Sequence, residues 1–204
     1  MHRTSTSLFL AGLVSLGTMT FAQETAKPAA EAPVEEAGDL ATGEPVGPQV
    51  GQAYVAQTHG DWAQRCIKAE EGQTERCDLY QLLTDANGAA VAEFTLSRLP
   101  DDAREVAGQQ LVAGITVVAP LETLLTQQLT MSVDGGEARR YPFAFCNAGG
   151  CVARIGFTQP EVDTFKRGAA AKVRLVPAAA PDESVVLDVS LSGFTNGYNA
   201  LAPR

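Results

Sequence analysis

The chain has 204 residues, 19 % of them charged, and a formal net charge of −9. An acidic balance of this size argues against nucleic-acid binding, which needs cationic surface to neutralise phosphates, and against electrostatic docking on anionic lipid. It leaves an acidic chain long enough for one folded domain plus a tail.

Residues 1–22 read as a cleavable export signal. His2 and Arg3 give a weakly basic start, residues 8–19 are apolar apart from Gly, Ser and Thr, and Thr20-Phe21-Ala22 offers a small-x-small cleavage site. The apolar run is about 12 residues, whereas a membrane span needs roughly 20. The mature chain is therefore expected to carry no transmembrane span. Removing Arg3 with the signal takes the charge from −9 to about −10 and leaves about 180 residues. Gln23 rather than cysteine follows the signal, which argues against a lipid anchor. Export predicts a periplasmic or envelope location, where cysteines oxidise.

Residues 23–52 are rich in Ala, Pro, Glu and Gly, with Pro28, Pro33, Pro45 and Pro48 among acids such as Glu31, Glu35, Glu36 and Asp39. Such a stretch cannot bury enough apolar surface to offset its ordering entropy, so it reads as a disordered acidic tether.

Residues 53–204 read as one folded domain built mainly of short strands. Candidates run over 62–68, 76–84 and 90–98, with Asp85-Ala86-Asn87-Gly88 as the turn between the last two. Residues 111–118 are β-branched and read as a buried strand. Residues 129–133 and 140–145 flank Asp134-Gly135-Gly136, a second hairpin signal. Strands over 152–157, 173–176 and 185–191 complete the set. In the last, Val185, Leu187, Val189 and Leu191 alternate with polar residues, the period of a half-buried strand.

Two helices are expected among the strands. Leu121, Leu124, Leu125 and Leu129 have helical spacing after Pro120. The second begins at Thr158, with Glu161 completing a capping box, Phe157 stapled to Val162, and Gly168 at the far end. Short strands with turn residues between them predict an antiparallel β-sandwich with one or two short helices.

Four cysteines, Cys66, Cys77, Cys146 and Cys151, allow three pairings. The sequential one, Cys66 with Cys77 and Cys146 with Cys151, closes loops that the chain already bends into. A zinc knuckle favours two-residue spacing, which these pairs do not have, and the thioredoxin-like C-x-x-C is likewise missing. Structural disulfides are the expected reading.

Candidate chemistry is thin. The mature chain's single histidine, His59, sits beside Gly60 with no G-x-S-x-G elbow in the sequence, and reads as a turn residue. The acid pairs Glu70-Glu71 and Asp101-Asp102 lie in loop-like stretches, where nothing would raise one pKa for acid–base work. The Asp85 turn lacks the remaining ligands of a calcium loop. No cofactor, metal or catalytic set is expected. The basic doublet Arg139-Arg140, with Phe194 and Tyr198, supplies the candidate binding anchors, since interface energy concentrates in Arg and aromatic side chains.

Read in order, Gly60-Asp61-Trp62 before Cys66, Tyr80-Gln81 after Cys77, Phe145-Cys146 leading to Gly150-Cys151, and Leu191-Ser192-Gly193-Phe194 resemble the invasion-associated locus B family of exported bacterial proteins. The resemblance covers roughly residues 54–201. It implies that the four cysteines form disulfides, and it suggests an envelope or host protein as partner and a link to host-cell invasion. It carries over no catalytic residues. The expected function is a binding module of the periplasm or envelope. A periplasmic hydrolase using loop carboxylates is the alternative. A small outer-membrane barrel is disfavoured, because its strands would need about 9–11 residues.

Overall fold

The structure, a computed structural model, describes residues 43–44, 46–100, 102 and 105–203. The expected export signal, most of the expected tether and Asp101 lie outside these residues. Among the described residues thirteen strands run in chain order as β1 Ala53–His59, β2 Trp62–Ile67, β3 Arg76–Thr84, β4 Ala90–Arg98, β5 Glu105–Val106, β6 Gln109–Gln110, β7 Ala113–Ala119, β8 Leu129–Val133, β9 Arg139–Tyr141, β10 Phe143–Asn147, β11 Gly150–Phe157, β12 Ala170–Leu175 and β13 Val185–Ser190. Two helices accompany them, α1 Gln159–Arg167 and α2 Phe194–Ala200. Among the described residues no helix is long and apolar enough to cross a membrane.

Strands β1-β2-β3-β4-β7-β11-β10 form one antiparallel sheet, and β13-β12-β8-β9 a second. Each sheet turns one face inward, and a single apolar core forms between them. Leu79, Leu83, Phe94, Leu96, Ile115, Val117 and Ile155 enter it from the large sheet. Leu129, Met131, Val173, Leu187 and Val189 enter from the small one. The architecture is the antiparallel β-sandwich that the alternating pattern predicts.

The turns follow their residue chemistry. At the β3–β4 hairpin the Asp85 carboxylate accepts the Asn87 and Ala89 backbone N–H groups at 2.8 and 2.9 Å. At β8–β9, Asp134 and Gly135 both have positive φ, 47° and 73°, as the tight right-twisted hairpin turn requires.

Three expectations about the elements need correction, and two elements were not expected. The predicted strand over 140–145 is broken at Pro142, which has no N–H to donate. Its first part pairs in the small sheet as β9, and its second in the large sheet as β10. The leucine spacing after Pro120 yields a single 3-10 turn, Leu125–Gln127, with Leu121 and Leu125 exposed and Leu129 already in β8. Residues 51–52 of the expected tether pair with the domain, because Gly51 N–H and Gln52 C=O bond the Lys68 backbone. Strand β1 and helix α2 went unforeseen: β1 is almost wholly exposed, and α2 contains Asn196-Gly197, which favour helix poorly.

Helix α1 begins as its capping box predicts. The Thr158 N–H and hydroxyl donate to the Glu161 carboxylate at 2.8 and 2.7 Å. Gly168 ends it, but in extended backbone (φ −75°) rather than the left-handed conformation. Glycine is needed there for space, since a Cβ would stand 2.6 Å from Val133 and 2.8 Å from Leu191.

Candidate functional site

The two motifs at the ends of the domain meet. The β1–β2 turn at Gly60-Asp61 lies against the Ser192-Gly193 turn, with Asp61 N–H bonded to Ser192 C=O at 3.2 Å. A Cβ on Gly193 would come 2.1 Å from His59 C=O, and one on Gly60 2.6 Å from Ser192 C=O. Gln81, projecting from β3 on the same face as Leu79 and Leu83, fastens this junction. Its amide nitrogen donates to the Asp61 and Ser190 carbonyls, both at 3.2 Å, and its oxygen accepts Ser190 N–H at 2.8 Å. The Ser190 hydroxyl donates to the Asp61 carboxylate at 2.5 Å.

Behind this polar junction lies an aromatic cluster. Trp62 meets Phe94 and Phe194 edge-on at 5.7 and 5.5 Å, and Phe165 links Phe194 to Phe157. Phe194 is 0 % and Tyr198 4 % exposed. The sequence offers both as binding anchors. The structure corrects this: Phe194 is wholly buried, and Tyr198 is packed in the core with only 4 % of its surface exposed.

His59 ends β1 half-buried, its Nε2 3.0 Å from the Gln64 side-chain oxygen. The Asp61 carboxylate accepts the Ser190 hydroxyl, while the His59 ring is engaged by Gln64. Glu70, Glu71 and Asp102 are exposed in loops. Among the described residues no cluster of histidine, cysteine and acid could hold a metal ion.

Both disulfides form, Cys66–Cys77 and Cys146–Cys151. Each joins directly opposed residues of an antiparallel ladder, with Cα atoms 4.0 Å apart. Beside the first, the Glu75 carboxylate accepts from the Tyr54 hydroxyl and pairs with Lys68 at 2.9 Å. Those two bonds, Tyr54's first, hold the Glu75 pKa below its ordinary value.

Exposed chemistry gathers on the β8–β9 hairpin. Arg139 and Arg140 are both exposed there. Arg139 crosses to α1 and pairs with Glu161, the same carboxylate that caps the helix. Between hairpin and helix opens a cleft of about 200 Å³, with Met131, Phe157 and Phe165 as apolar floor and Arg139, Tyr141 and Glu161 at its rim. Burial, then the Glu161 charge, raises the Tyr141 pKa, so the phenol is a neutral hydrogen-bonding group at neutral pH. The cleft suits a single apolar side chain of a partner, flanked by a guanidinium and a carboxylate. Sequence reasoning found the arginines but not Tyr141 or Glu161 as their companions. The capping box was the available signal, because it points the Glu161 carboxylate at the helix start.

A family profile described as "Invasion associated locus B (IalB) protein" matches residues 62–202. Two Brucella abortus proteins, each named as an invasion protein B homolog and from different strains, are 25 % identical over 144 residues. The match covers 71 % of this chain and 77 % of theirs. The crystal structure of invasion associated protein B from Bartonella henselae superposes with a TM-score of 0.55 at 22 % identity, over 70 % of this chain and 91 % of that one. That likeness is one of fold.

Proposed function

The chain belongs to the invasion associated locus B family, and we propose that it works as an exported module of the cell envelope that binds another protein or an envelope component. One observation carries this reading. Most residues of the recognisable motifs are consumed in scaffold: Gly60, Asp61, Gln81 and Gly193 in the junction, Trp62 and Phe194 in the core, and the cysteines in ladders, while Phe145 stays exposed. The arginine-bearing hairpin and its apolar cleft stay open to solvent. A pocket that receives one apolar anchor, rimmed by charge, is the usual centre of a protein interface. The relatives' names speak of invasion, and we extend that to a host-facing role for this chain.

A photo-crosslinking residue placed at Arg140 in intact envelopes tests the surface. It should yield one dominant, identifiable adduct, while the same residue at Arg174 on β12 yields none in common. Adduct patterns that are the same from both positions would reject the hairpin as the binding face.

A further inference from the structure

We propose that a second cleft, where the ends of β4, α1 and α2 meet, binds a small ligand through an oxyanion of the carboxylate or phosphate class. This site is separate from the hairpin surface and does not depend on that reading. The cleft is about 210 Å³, with Arg98, Lys166, Gln159, Asn199 and Tyr198 among its lining residues and Leu111 as an apolar wall.

Two cations converge here on one aromatic ring. The Arg98 guanidinium lies 5.8 Å, and the Lys166 ammonium 4.7 Å, from the Tyr198 ring centroid. Each is steadied by a neutral acceptor. Lys166 donates to the Asn199 side-chain oxygen at 3.1 Å, and Arg98 reaches the Leu201 carbonyl at 3.5 Å. A guanidinium carries five N–H groups and an ammonium three, so these bonds leave donors to spare.

The ion pairs among the described residues are Lys68–Glu75, Arg139–Glu161 and Lys172–Asp188, which involve neither cation. Asp163 stands near Tyr198 but outside the lining, and it accepts from Gln159 at 2.7 Å. Among the described residues the cleft lining carries these two cations and no carboxylate. An oxyanion in the cleft accepts remaining donors of the lining cations in charge-assisted bonds. The Gln159 and Asn199 amides are placed to bond polar atoms beside it. The volume is below the roughly 300–1,000 Å³ of drug-sized pockets, so the ligand is small or inserts only a small headgroup.

Nuclear magnetic resonance titration of the mature chain tests this, with sodium phosphate and sodium acetate compared against sodium chloride at equal ionic strength. Saturable shifts of the Lys166, Tyr198 and Asn199 amides are expected from phosphate or acetate and not from chloride. Arg98→Gln and, separately, Lys166→Gln should each weaken binding by about tenfold, while Arg174→Gln, exposed on β12, leaves it unchanged. Vesicles of phosphatidylglycerol against phosphatidylcholine distinguish a lipid headgroup from a free solute: line broadening at the same amides with phosphatidylglycerol alone assigns the oxyanion to lipid. Shifts that match chloride with no response to either vesicle, or binding indifferent to both substitutions in variants that melt like the parent, would overturn the proposal.

Discussion

At Gly193 the backbone has φ +81° and lies so close to His59 that a methyl group would overlap its carbonyl oxygen. Gly135 has a similar φ, +73°, with open space around it. The pair separates strain from collision. Gly135→Ala should cost about 1 kcal/mol, the conformational term alone. Gly193→Ala should cost more than about 3 kcal/mol, because two turns must part as well. Chemical denaturation of both variants measures the difference. The carboxylates make a second residue-level prediction. Asp134 is held below its ordinary pKa by the Ala170 and Ala169 backbone N–H groups, Asp85 by those of Ala89 and Asn87, and Glu75 by Tyr54 and Lys68. Each folded pKa lies below its unfolded value, 3.8 for Asp and 4.5 for Glu. Their stabilisation is therefore present above those values and is lost as pH falls through the lower, folded ones. The urea midpoint should fall between pH 5 and roughly 3. Asp134→Asn, which keeps a residue tolerant of positive φ, should show a smaller fall over that interval.

Among the elements, those that sequence made legible carry their own signal. Strands β3 and β4 have the predicted bounds because an Asx turn divides two alternating apolar runs. Helix α1 starts at Thr158 because its cap is built from local residues. The rest depends on distant partners. Helix α2 exists because Phe194 and Tyr198 pack in the core and Gly197 lets Leu79 approach, not because its sequence favours helix. Gln81 sits in a file of apolar side chains on β3, so its burial could be read from alternation. Its partners, 20 and 109 residues away, could not. The cleft at Arg139 and that at Arg98 are likewise assembled across the chain. The hairpin disulfides permit a test at this scale. Replacing Cys66 and Cys77 together by alanine should lower stability by about 3 kcal/mol, and the shorter Cys146–Cys151 loop should contribute about 2 kcal/mol, since closure entropy grows with loop length. Peptide mapping without reductant should recover only these two pairings.

For the whole molecule, the two sheets and both helices share one aromatic and aliphatic core within residues 53–203. A variant beginning at Val46 should keep the melting temperature of the mature chain to within about 2 °C, less than the several degrees that a 1 kcal/mol change produces in a domain of this size. A larger loss would mean that the preceding acidic segment packs on the domain. The central claim, that this family member acts by binding through its exposed hairpin face, is tested most directly by a comparison in intact envelopes. Partner recovery after crosslinking would be measured for the parent, for the charge-reversed hairpin Arg140→Glu, and for His59→Ala with Asp101→Ala and Asp102→Ala. Equal recovery by the parent and the His59/Asp101/Asp102 variant is predicted, with loss of about 2 kcal/mol or more of binding energy in the charge-reversed hairpin at unchanged melting temperature. Full recovery by the charge-reversed hairpin, together with lost activity in the His59/Asp101/Asp102 variant that still binds, would contradict the account and point to chemistry instead.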